Sequence, residues 1–193
     1  MKWNKQAELI KQLSDRQLVS QVYATQALLF SIALGAMWVL FDSFTDVQAL
    51  FVWNVSTVIQ FGVSAAVFIL LVDIILMKVL PKSYYDDGGI NERVFRSISI
   101  PEIAIIAFVV AFSEELLFRG VLHTEFGYVL ASVAFALMHI RYLTKPVLLV
   151  SVLLISFYLG LMYEWTGELW VTIVAHFLID LVLGLMIRLK WMR

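Results

Sequence analysis

The stretch "IPEIAIIAFVVAFSEELLFRG", residues 100–120, is a long apolar run that carries Glu114, Glu115 and Arg119 near its end. A membrane-spanning helix needs about 20 mostly apolar residues. A charge at mid-bilayer costs at least ~2.5–3.5 kcal/mol on insertion scales. Three charges at that depth must be paired, face a cavity or do chemistry. The rest of the chain is equally oily, 62% hydrophobic and 15% charged, with a mean hydropathy of +0.89. Soluble domains are nearer about half apolar and a quarter charged, so composition already predicts a membrane protein.

Working outward from this segment, the sequence offers six apolar runs, at 22–41, 49–72, 99–118, 127–143, 147–164 and 169–188. No strand-like alternation interrupts them. The expected fold is all-α, a polytopic membrane bundle of about six transmembrane helices. Residues 1–20 alternate charge with Trp3, Leu9, Ile10, Leu13 and Leu18, the pattern of an amphipathic helix lying on the lipid surface. They are too polar for a cleavable signal peptide and are expected in the mature protein. The connector 81–97, "PKSYYDDGGINERVFRS", holds Pro81, two glycines and most of the loop charges. It separates residues 1–97, with the amphipathic helix and two spans, from a core at 98–193.

Basic residues set the expected orientation. With the N-terminus inside, thirteen of the fourteen Lys and Arg fall on inner segments, all but Arg119. The outer loops carry Asp42, Asp46, Glu125, Glu164 and Glu168. Both termini are therefore expected in the cytoplasm, in a multi-pass protein of the cell membrane with lipid around it. A net charge of −1 gives no reason to expect nucleic acid as a partner. With no cysteine, disulfides, thiolate metal sites and a cysteine nucleophile are excluded.

Helical spacing sorts the ionisable residues. Glu115 and Arg119, four apart, share a face with the acid in the favourable N-terminal place. Glu114 points about 100° away, so one carboxylate is left over. His139 follows Phe135 by four residues in "FALMH", and His176 precedes Asp180 by four in "HFLID". His123 reads as a loop residue near the outer surface. Asp73 reads as a local partner of Lys78. A desolvated carboxylate suits a general base for water, and a histidine can relay the proton. A second histidine can donate to a developing oxyanion. Glu114, His139 and His176 are equally adequate zinc ligands, although no His-Glu-x-x-His helix is present. Spacing leaves hydrolysis with and without metal both open.

The segments "EELLFRG", "FALMH" and "GELWVTIVAHFLID" resemble, in order, the Glu-Glu-x-x-x-Arg, Phe-x-x-x-His and His-x-x-x-Asn/Asp motifs of the CPBP intramembrane proteases. That family includes the CAAX prenyl proteases and bacterial Abi-domain proteins linked to bacteriocin processing or self-immunity. The likeness covers about residues 98–186. It implies a membrane endopeptidase in which Glu114 with His139 activates water while His176 and Asp180 stabilise the oxyanion. Glu115, Arg119 and Phe135 would support the site. The likeness favours a glutamate-type enzyme without a cofactor, with zinc as the alternative, acting on a peptide or membrane-protein substrate. Asp180 stands where the prenyl-protease branch has Asn. At ~1.5 Å per residue, Glu114 lies ~21 Å from the inner start of its helix and His176 ~10 Å from the outer start of its own. Those two depths agree in the outer half, opposite to the cytosolic opening of the prenyl proteases, while His139 comes out deeper, as a tilted helix or other span limits would make it. The alternatives are a non-proteolytic immunity or scaffold protein on the same fold, and a proton- or ion-coupled transporter. The absence of visible inverted repeats argues against the transporter.

Overall fold

The structure, a computed structural model, describes residues 12–191. Among these residues the chain is helical and has no strand. The first helix, α1 (Asp15–Leu40), opens on a capping box. Ser14 Oγ accepts from Gln17 N, and the Gln17 side chain accepts from Ser14 N at 2.8 Å. A short α2 (Phe44–Leu50) follows. Next comes α3 (Val55–Val79), capped by Asn54 Oδ1, which accepts from Ser56 N and Thr57 N, and π-helical over Val58–Val63. The Asn54 cap moves this span toward the C-terminus of the expected 49–72.

In the connector, the Asp87 carboxylate accepts from Ile90 N and Asn91 N and so starts α4 (Ile90–Ser97). Helix α5 (Ile100–Glu115) begins at the Ser99 cap with Pro101 in its first turn. It runs unbroken into a π-helical segment, Leu116–His123, and a last turn, Thr124–Phe126. Gly127, at φ +88°, turns the chain into α6 (Tyr128–Met138). Helices α7 (Pro146–Thr166) and α8 (Leu169–Arg188) complete the bundle.

Four of these helices, α1, α3, α7 and α8, are long and apolar enough to cross a membrane. With its π-helical continuation α5 is long enough as well. Helix α6 is not: its 11 residues rise about 16 Å against a hydrocarbon core of about 30 Å. The fourth expected span is therefore a half-length helix. The N-terminal surface helix lies largely outside the described residues, and residues 15–20 belong to α1 instead.

Helix α8 sits centrally, against α5, α3, α7 and α4, while α1 covers α5. Gly62 lets α3 approach α8 closely: a Cβ there would stand 2.8 Å from Val171 O. Large apolar side chains such as Leu28, Val67, Leu71, Ile75, Phe108 and Leu154 face outward. That surface suits lipid, which replaces water as the solvent, and the helices satisfy their own backbone groups.

The two ends of the bundle differ in charge. At one, Arg93 pairs with Asp15 at 2.7 Å, Arg141 with Asp87 at 3.4 Å, and Arg188 Nε donates to Ile98 O. At the other, Glu164 meets His123, and Trp170 packs on Phe51 and Trp53. Residues sorted by charge in the sequence are thus gathered at opposite ends.

Candidate active site

Helix α5 delivers its two glutamates to different surroundings. Glu115 is 0% exposed and Arg119 1%. Arg119 Nη1 donates to Glu115 Oε1 at 3.3 Å, and Arg119 Nε lies 3.3 Å from Oε2. The guanidinium also donates through Nη2 to Ser156 O at 2.9 Å and Ser156 Oγ at 3.1 Å. It lies 4.6 Å from the centre of the Phe135 ring. The same carboxylate reaches α8, with His176 Nδ1 at 2.9 Å from Glu115 Oε1. A carboxylate paired with arginine only accepts, so Nδ1 carries the hydrogen. On the other side of the ring, Nε2 stands 3.5 Å from Asp180 Oδ2. Glu115 is the hub that ties Arg119 to His176, a link between motifs that spacing within one helix could not reveal.

Glu114 faces α1. Gln26 Nε2 donates to Glu114 Oε1 at 2.9 Å, and Gln26 Oε1 accepts from Ser113 Oγ at 3.0 Å. Sequence reasoning left Glu114 without a partner and missed Gln26. The signal was there, a lone amide in the apolar stretch "ATQALLFSIALGAMWVL".

His139 terminates α6. Its Nδ1 is 2.9 Å from Phe135 O; a carbonyl only accepts, so Nδ1 holds the hydrogen and Nε2 keeps its lone pair. The Phe135 ring is shared, with its centre 4.9 Å from that of His139 and 6.0 Å from that of His176. Glu114, His139, His176 and Asp180 all line one cavity of about 780 Å³, with Gln26, Phe118 and Phe135. No hydrogen bond joins Glu114 to His139 among the described residues.

The same cavity extends to Lys82, Asp87, Arg96 and Arg141, which belong to the basic end. The depth of Glu114 along its helix is unchanged, but the cavity it lines runs from there to the basic end. Because α6 stops at His139, the volume beyond it stays unfilled and opens toward the basic loops. At this mouth burial pushes the Asp87 carboxyl up, while Arg141 and the N–H groups of Asn91 and Ile90 pull it down.

Two simpler residue readings also change. His123 is no loop residue: it is 6% exposed in the π-helical segment, with Nε2 2.7 Å from Glu164 Oε2 and its ring against Tyr163. Asp73 forms no ion pair with Lys78 among the described residues and lines the cavity instead. Among the described residues no three His, Asp or Glu side chains converge as a ligand set. His176 has carboxylates on both ring nitrogens, and Gln26 occupies one oxygen of Glu114.

Residues 96–182 match the family described as Type II CAAX prenyl endopeptidase Rce1-like. A protein of Bacillus subtilis (strain 168), described as Uncharacterized protein YpbD, is 46% identical over 169 residues, 88% of this chain and 89% of its own. No solved structure matches. The chain belongs to the Rce1-like family. The matched Rce1-like region contains Glu114, Glu115, Arg119, Phe135, His139, His176 and Asp180, and it excludes α1 with Gln26. The resemblance read from the three motifs and this family agree, and the helical bundle is the membrane fold that both imply.

Proposed function

We propose that the chain is an intramembrane endopeptidase of the cell membrane, with both termini cytoplasmic, that hydrolyses a peptide bond without a metal. The observation that carries this reading is the cavity of about 780 Å³ on which Glu114, His139, His176 and Asp180 converge inside an apolar bundle. Its volume suits a few residues of an extended peptide. Glu114, with one oxygen held by Gln26, takes a proton from water as the oxygen attacks the scissile carbonyl. His139, through its free Nε2, shares that proton and passes it toward the leaving amine. His176 holds the developing oxyanion through Nε2–H. The 3.5 Å contact to Asp180 is long enough to leave that hydrogen shared. Glu115 and Arg119 fix the His176 ring from behind and never meet the substrate.

Purified protein in lipid nanodiscs, mixed with a library of internally quenched peptides, tests the reading. Hydrolysis of at least one peptide that persists after strong chelation, with less than one zinc per chain, supports it. Activity that returns only with added zinc would assign His139 and His176 as ligands. No cleavage of any peptide would favour a non-proteolytic immunity or scaffold role on the same fold.

A further inference from the structure

The Gln26 amide is 5% exposed in the middle of an apolar helix. A buried amide is costly unless both its ends are bonded, and here both are. Nε2 donates to Glu114 Oε1 at 2.9 Å, and Oε1 accepts from Ser113 Oγ at 3.0 Å. Ser113 Oγ also lies within hydrogen-bonding reach of Val109 O, one turn back on α5. A hydroxyl has only one hydrogen, so it cannot serve Gln26 and Val109 fully at once. That surplus acceptor makes a second arrangement of the same atoms self-consistent.

With Glu114 ionised, Gln26 N–H donates to the carboxylate and Ser113 O–H donates to the Gln26 carbonyl. Suppose Glu114 gains a proton and the amide turns by 180°. Glu114 O–H then donates to Gln26 Oε1, Gln26 N–H donates to Ser113 Oγ, and Ser113 O–H donates to Val109 O. Three hydrogen bonds are made in each state, the Ser113 hydrogen being shared between Gln26 and Val109 in the first, and the turn only exchanges the places of Gln26 Oε1 and Nε2. We propose that Gln26 is a positioning residue whose amide flips with the protonation of Glu114, keeping its carboxyl group in one place before and after it takes a proton from water. This rests on the reading of Glu114 as general base. It extends the site to α1, beyond the matched region.

Two measurements test it. In infrared titration of the nanodisc protein, the amide band that Gln26→Leu removes should shift as the Glu114 carboxyl titrates. Glu114→Gln should abolish that shift. On the best-cleaved library peptide, Gln26→Leu should lower kcat by about 10–100-fold, the scale of losing a hydrogen bond to a charged group, with KM unchanged. Ser113→Ala should cost less, about threefold, since only the amide's orientation is loosened. A merely structural Gln26 would leave the band insensitive to Glu114 and would not separate kcat from KM. An unshifted band, or wild-type kcat in Gln26→Leu, overturns the proposal and leaves the protease reading standing. A shifting band in a protein that cleaves no peptide upholds the coupled flip and refutes the protease reading instead.

Discussion

The two faces of α5 around its paired glutamates are only one residue apart, yet they look onto different regions. Behind Glu115 lies a sealed interior in which Arg119, Ser156 and His176 take up the carboxylate and the guanidinium. In front of Glu114 lies the cavity, reached from the basic end. The same side-chain type is thus committed to structure on one face and left available for chemistry on the other. In a bilayer the cost of a charge forces this division: a carboxylate without a cavity must be paired, and one beside a cavity can stay reactive.

The sharpest way to break the comparison is on the sealed side. Glu115→Gln leaves Arg119 as an uncompensated buried charge and should destabilise the protein by about 3–5 kcal/mol. Thermal unfolding in nanodiscs, or the yield of folded protein on extraction, reads that loss. Normal stability would mean that Arg119 has another anionic partner. Next in size, on the cavity side, Asp180→Ala should lower hydrolysis by up to about 10²–10³-fold, the range for losing one oxyanion donor, because His176 loses the carboxylate beside its Nε2. Asp180→Asn should retain much of the activity, because its amide can still bond His176 Nε2. An inactive but folded Asn variant would show that the negative charge itself is required. The last test changes no activity and sharpens the geometry alone. A single cysteine at Thr166, at the acidic end, should be labelled only from outside the cell. Labelling from the cytoplasm would turn the cavity mouth outward.

Much of this division could be read in advance, for reasons visible in particular residues. The Glu115–Arg119 pair lies within one helix, so four-residue spacing exposed it, and the basic loops marked one end of the bundle. Gln26 was missed because the lone amide in its apolar stretch does not say which helix it faces, and its partner Glu114 lies 88 positions away. The link from Glu115 to His176 spans 61 positions and was hidden for the same reason. The reach of the cavity toward the basic end was not legible, because α6 ends at His139 after half a crossing and the apolar run 127–143 does not show that stop. His123 was misread because the π-helical segment carries α5 past the point where an apolar run alone ends it.

The central claim is that Glu114, and not its neighbour, activates the water. Hydrolysis of one library peptide by wild type and by Glu114→Gln, both with matching thermal unfolding, tests it most directly. The variant should lose about 10²–10⁴-fold in kcat, the contribution of a general base, while remaining as stable as the parent. A Glu114→Gln protein that turns over at near the wild-type rate would contradict the account.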